Sequence, residues 1–238
     1  MRVELLRGTA DPEELACRAA RGDYSNEWMG TENTYSEIME SVEGNTLEEK
    51  TDTLLRHCYS RGHHGVFEHP TATFAVEGLS RSCMAQLTRH RHASFDVQSL
   101  RYTEIDGDSE DVMCFPPSFT EGEVVSREEG VTEFETPAGI RTEIAANLYD
   151  EAVDAYDRLI DAGVPKEDAR MVLPIGTLVN LTFTMNARSL MHLLDMRLKP
   201  NSQWEIRGLC DDVLAECKDW MPITFELYDD QRPNKLAP

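Results

Sequence analysis

The 238-residue chain sets 44 acidic side chains against 23 basic ones, a formal net charge of -21, and is 40% hydrophobic. It can therefore bury a core, but it holds no apolar run long enough to span a bilayer, and its acidity disfavours long nucleic acids as partners. Only five of the basic residues are lysine. That balance implies a salt-rich cytoplasm, because molar salt shortens the screening length to about 3 Å and relieves self-repulsion. The charged opening Met1-Arg-Val-Glu-Leu-Leu-Arg-Gly lacks a hydrophobic signal region, so a cytoplasmic location is expected.

Residues 1–8 read as an edge strand. Asp11 and Pro12 open a helix through Arg21, as N-cap and first helical residue. Helices are predicted over 33–41 and 46–60, the second with Leu47, Leu54, Leu55 and Cys58 on a helical period. Thr71–Leu79 reads as a strand. Ser80 then caps a predicted helix over 81–91, with Gln86, Arg89 and His90 on one face and Cys83, Met84 and Leu87 on the other. Residues 93–102 read as a loop. An acidic excursion over 103–140 holds eleven carboxylates against Arg127. Residues 140–162 form an amphipathic helix with Ile144, Leu148, Ala152, Tyr156 and Ile160 in step. A short helix over 164–170 and a strand over 178–185 follow. Asn186 caps a helix on which Arg188 and His192 are one turn apart. The last predicted helix covers 202–219, and the tail over 230–238 reads as frayed. The sum is α+β: an antiparallel sheet packed with helices, in a single domain over 1–238. There is no Rossmann glycine fingerprint and no P-loop.

Cys17, Cys58, Cys83, Cys114, Cys210 and Cys217 form no C-x-x-C pair, which argues against a zinc ribbon or a disulfide framework. Buried, reduced thiols are expected, Cys83 among them. His63, His64 and His69 do not have zinc spacing, so no metal is expected. His64 and His69 read as buried, hydrogen-bonded histidines.

The most informative stretch is cationic. Residues 81–102 carry Arg81, Arg89, Arg91 and Arg101 with His90 and His92, opposed by Asp96. Such an island in an acidic chain points to a bound anion, and arginine grips phosphate with a planar fork. Ser99 has no base at a fixed offset, so its hydroxyl is expected to bind phosphate rather than attack.

The order of these residues resembles the flavin-dependent thymidylate synthase family. Arg89-His90-Arg91, seven residues, Ser99, then Arg101-Tyr102 is similar to its signature. Gly62-His63 through Phe67-Glu68-His69, Ala169-Arg170-Met-Val-Leu-Pro174, Asn186-Ala187-Arg188-Ser189-Leu190-Met191, Met196-Arg197 and Gln203-Trp204-Glu205-Ile206 resemble further family segments. The resemblance implies reductive methylation of dUMP, with 5,10-methylenetetrahydrofolate as carbon donor. FAD would carry carbon and hydride, NADPH would reduce it again, and tetrahydrofolate would leave unoxidised. It implies FAD binding by Arg89, His90, Arg91, Asn186, Ala187, Arg188 and His192. It implies dUMP binding by Gln86, Arg89, Gln98, Ser99, Leu100, Arg101, Arg170 and Arg197. Arg197 would activate the pyrimidine, and His63 would stand near flavin and folate. A homotetramer with shared active sites is implied as well. The chain departs from the pattern at Asp96, at Val97, at His192 where relatives can carry Asn, and at Pro200-Asn201-Ser202, where some relatives hold a histidine. The alternative is a non-catalytic nucleotide-phosphate-binding module, which would need neither Arg197 nor His63.

Overall fold

The structure, a computed structural model, describes residues 1–120 and 138–231. Four strands, β1 (Arg2–Gly8), β2 (Thr71–Ser80), β3 (Ser94–Val97) and β4 (Leu178–Asn186), form one sheet in the order β1-β2-β4-β3. The helices are α1 (Pro12–Gly22), α2 (Tyr35–Ile38), α3 (Leu47–Arg61), α4 (Arg81–Leu87), α5 (Ser109–Val112), α6 (Pro117–Thr120), α7 (Ala138–Asp161), α8 (Lys166–Ala169), α9 (Ala187–Arg197), α10 (Trp204–Trp220) and α11 (Pro222–Gln231). A tight 3-10 turn covers His64–Glu68. None of the described helices is long and apolar enough to cross a membrane.

The chain divides into two compact units. The first is Met1–Val76, Gln86–Asp96 and Thr182–Pro238; the second is Glu77–Ala85 and Val97–Leu181. In the first unit Thr73 and Thr184 share a hydroxyl hydrogen bond of 2.9 Å, and Phe183 packs between Phe74 and Phe95. In the second, the Gly78 amide donates to Asn180 Oδ1 at 3.0 Å and the Gln98 amide to the Asn180 carbonyl at 2.8 Å. On each side of β4 the partner's number falls as the β4 number rises, so both pairings are antiparallel. Along β4, Val179, Leu181, Phe183 and Met185 are buried at every second position, as a strand with one face on a core requires.

Several expectations are corrected. Asp11 stands at the N-cap of α1 but has φ 47° and makes no side-chain cap bond. The helix expected over 33–41 is a single turn, held by a capping box between Thr34 and Glu37. The buried face of α3 is Thr51, Leu55, Cys58 and Tyr59, whereas Leu47 is exposed. Ser80 does cap α4, its Oγ accepting from the Cys83 amide at 3.0 Å, but α4 ends at Leu87. Arg89 and His90 therefore follow the helix rather than share its face. The expected loop over 93–102 contains β3, because Ser94–Val97 pairs with β4. Tyr156 is buried on α7 as expected, but Ile144 and Leu148 are exposed and Ala145 and Val153 are buried instead. The described part of the acidic excursion holds α5 and α6; residues 121–137 of it lie outside the described residues. Of the tail expected to fray over 230–238, Asp230 and Gln231 instead end α11; residues 232–238 lie outside the described residues. His69 is exposed rather than buried, and His64 is half-buried, its ring edge-on to Tyr59. Five of the six cysteines are buried and Cys114 is half-buried, all as free thiols.

Acid crowding is visible in the second unit. The Asp157 carboxyl is pushed above its ordinary range, by burial first and then by Asp161, Asp154, Asp106 and Glu104. Screening weakens the repulsive part of that crowding, so the melting temperature should rise from dilute to molar potassium chloride. A melting curve that is flat or falls with added salt would contradict this.

Candidate active site

Two devices set the site in the first unit. The β4–α9 junction is one: Asn186 ends the strand, and its Oδ1 accepts from the Ser189 amide at 2.8 Å. The Ala187 amide donates to the Pro70 carbonyl at 2.9 Å. Two of the first-turn amides of α9 are thereby fixed, and the Arg188 amide between them belongs to the positive end of the helix dipole. The second device anchors α9 from behind. Leu190, Met191, Leu193 and Leu194 are fully buried, and the Tyr228 hydroxyl of α11 donates to Asp195 Oδ1 at 2.8 Å.

In front of α9 lies a cavity of about 840 Å³. Its wall takes Asn186, Arg188, Ser189, His192, Met196 and Arg197 from the β4–α9 segment and Arg89, His90, Arg91 and His92 from the stretch after α4. Met185 and Glu68 complete it. Four guanidinium groups thus face one cavity with Glu68 as the single lining carboxylate. That wall has the chemistry to take an anion, and the volume exceeds what a phosphate alone would fill.

Arg197, the last residue of α9, is held in place. Its Nε–H donates to His90 Nε2 at 3.0 Å and its Nη2 to the Gln86 carbonyl at 3.0 Å. His90 sits edge-on to His192, with ring centroids 6.2 Å apart. Burial, then Arg197, His192 and Arg89, lower the His90 pKa to about 4.

The sequence-predicted residues fall into groups. Arg89, His90, Arg91, Asn186, Arg188, His192 and Arg197 meet around the cavity. Ala187 is fully buried beside it, with its amide committed to the Pro70 carbonyl. Gln86 is on α4, with its carbonyl committed to Arg197. His63 precedes the 3-10 turn whose last residue is Glu68, and its Nε2 is 3.5 Å from the Tyr24 hydroxyl. It is not among the cavity-lining residues.

Gln98, Ser99, Leu100, Arg101 and Arg170 belong to the second unit. There the Gln98 side chain is taken up by the sheet, Oε1 accepting from the Asn180 amide at 3.0 Å. Leu100 is buried. Arg101 pairs with Glu167 at 2.7 Å, its guanidinium lying 5.6 Å over the Tyr102 ring. Both partners of that pair are about half exposed, so it is weak and a phosphate could replace the carboxylate. The Ser99 hydroxyl accepts from the Arg101 amide at 3.4 Å.

Glu68, Ser189, Met185, Met196 and His92 were not singled out from the sequence as site residues. Ser189 and Met196 share α9 with Arg188 and Arg197, and His92 adjoins the basic triplet. Glu68 lies within the 62–69 segment that resembles the family, and that resemblance was the one signal for it. Among the described residues no group of histidines, cysteines or carboxylates is arranged to hold a metal.

Residues 4–223 match the family model described as thymidylate synthase complementing protein. The chain is 48% identical, over the full length of both proteins, to a flavin-dependent thymidylate synthase of Haloarcula marismortui, and equally to one of Halobacterium salinarum. A UMP/dUMP methylase, PolB of Streptomyces cacaoi, solved with 5-bromo-dUMP, superposes with a TM-score of 0.77 at 26% identity, covering 100% of this chain and 97% of that one. The basic triplet, the capped α9 and the terminal arginine thus sit in a chain that belongs to the flavin-dependent thymidylate synthase family.

Proposed function

We propose that the chain converts dUMP to dTMP by reductive methylation, with 5,10-methylenetetrahydrofolate as carbon donor and FAD, reduced by NADPH, as hydride source. The observation that carries this reading is the cationic cavity that ends at the doubly tethered Arg197. Its donor set fits a dinucleotide cofactor: Arg89, Arg91 and Arg188 offer permanent cations to a pyrophosphate, and the start of α9 adds an oriented amide. When bound, the flavin supplies the hydride and relays the carbon.

The chain's own residues bind, orient and polarise. Arg197 keeps Nη1 and one Nη2 hydrogen available for a pyrimidine carbonyl, and a guanidinium there stabilises negative charge as it develops on the ring. Ser99, Arg101 and Arg170, with the backbone at Gln98 and Leu100, are assigned to the nucleotide. His63 is assigned to the flavin and folate. The buried thiols offer no nucleophile: burial pushes Cys17 and Cys210 to about 12. Support for dUMP as substrate comes from the methylase relative solved with a dUMP analogue. The homotetramer with shared sites and the cytoplasmic location belong to this reading too.

Purified protein should be yellow and should release stoichiometric FAD on denaturation, and dUMP should perturb the bound flavin spectrum. Colourless protein that takes up no added FAD yet binds dUMP would leave the nucleotide-phosphate-binding module.

Ser99 is expected to bind rather than react. No histidine or carboxylate is hydrogen-bonded to its hydroxyl among the described residues, and serine is inert without a base. Ser99→Ala should raise the KM for dUMP yet keep measurable turnover at saturating nucleotide. A Ser99–nucleotide adduct trapped by mass spectrometry would overturn that.

A further inference from the structure

The contact between His90 and Arg197 constrains both residues. A guanidinium Nε–H can only donate, so His90 Nε2, 3.0 Å away, must carry the lone pair. The ring is then neutral, with its proton on Nδ1. A protonated ring would lose this acceptor and place a second cation beside Arg197. The same guanidinium is held from Nη2 by the Gln86 carbonyl. Two of its nitrogens are thus fixed by fixed acceptors, and its plane cannot turn without breaking one bond.

We propose that His90 is a positioning residue for Arg197, its ring nitrogen Nε2 and the Gln86 carbonyl together holding the guanidinium in the one orientation that offers its free fork to the pyrimidine. The proposal rests on the reading of Arg197 as the group that polarises the nucleotide. It gives the middle residue of the basic triplet work that its arginine neighbours do not share. Arg89 and Arg91 are exposed on the cavity wall, whereas His90, on the same wall, is half-buried with its Nε2 turned to Arg197 of α9.

The surroundings of His90 agree. From α9 it faces Arg197 and His192, with Arg188 on the same wall; from its own segment come Arg89, Arg91 and His92; from the 3-10 turn comes Glu68. The cations outnumber the one carboxylate and favour the neutral ring. The pKa of about 4 keeps the acceptor available at any ordinary cellular pH.

The test is a double-variant cycle on flavin-loaded protein, reading kcat and KM for dUMP at saturating FAD. Glutamine can place Oε1 near the position of the ring Nε2; leucine cannot accept. His90→Leu should lower kcat about tenfold or more, and His90→Gln should recover most of that loss. Because His90 acts through Arg197, the variant carrying both His90→Leu and Arg197→Ala should be within about threefold of Arg197→Ala. A double variant that falls by the product of the two single losses overturns the proposal. So does a His90→Leu loss that appears only at limiting FAD and vanishes at saturation, which would mark a flavin contact instead.

A second readout needs no turnover. In protein labelled with ¹⁵N-arginine, the Arg197 Nε–H, identified by its absence in Arg197→Lys, should exchange slowly in wild type and His90→Gln. In His90→Leu it should exchange at least about tenfold faster, because the hydrogen bond that protects it is gone. Equal exchange in all three overturns the proposed contact. Wild-type protein that shows this protection but forms no thymidylate would instead sink the functional reading while leaving the contact standing.

Discussion

Arg197→Ala should lower nucleotide-dependent flavin reoxidation by about a hundredfold or more, the usual cost of losing a donor that stabilises developing charge. The geometry behind this is specific. Arg197 ends a helix that begins at the segment proposed to hold the flavin, and the nine residues from Arg188 to Arg197 rise about 13 Å along the axis. One rigid element therefore carries Arg188, assigned above to the pyrophosphate, at its start and Arg197, assigned to the pyrimidine, at its end, and a cation at a helix C-terminus is favoured by the dipole. Arg197→Lys keeps the charge but loses both the Nε–H to His90 and the planar fork, so it should be impaired as well. Neither change removes Arg89, Arg91 or Arg188, so flavin should stay bound and NADPH should still reduce it. Anaerobic half-reactions separate the two steps. Wild-type reoxidation by Arg197→Ala, at saturating nucleotide and folate, would show that the role is misassigned.

Arg91→Ala should release the flavin. Arg91 is an exposed lining residue whose guanidinium is not consumed by the tethers that hold Arg197. A charge-assisted hydrogen bond to a bound anion is worth about 1.5–3 kcal/mol, so its loss should weaken FAD binding by about ten- to a hundredfold. The measurement is protein-bound flavin absorbance after gel filtration, with melting temperature as a check on folding. Undiminished flavin in a folded Arg91→Ala protein would place the pyrophosphate elsewhere. Raising salt should weaken wild-type binding in the same direction, since these cations are exposed.

Local chemistry was the part of the fold most legible in the sequence. Asn186 as the cap of α9, Ser80 as the cap of α4, Pro12 opening α1, and the alternation along β4 follow from side-chain chemistry and period, and the structure has all four. Long-range features were less legible. Ser94–Val97 alternates polar and apolar residues over only four positions, too short a run to read, and becomes a strand because β4 offers it an edge. Thr34–Ile38 closes into a single capped turn rather than the longer helix its composition suggested. Pro222–Gln231 has a weak helical stripe, yet Thr224, Phe225, Leu227 and Tyr228 are buried against the rest of the first unit. The candidate site was read from the order of its basic residues and its resemblance. What that order could not show is that His90 turns inward to Arg197, because α4 stops at Leu87 and the chain swings away from the expected helix face.

The central claim is tested most directly by product analysis. Protein supplied with dUMP, 5,10-methylenetetrahydrofolate, NADPH and FAD in molar potassium chloride should form dTMP, with one NADPH oxidised and tetrahydrofolate released for each dTMP. No dTMP from folded, flavin-loaded protein, or dihydrofolate as the folate product, would contradict it.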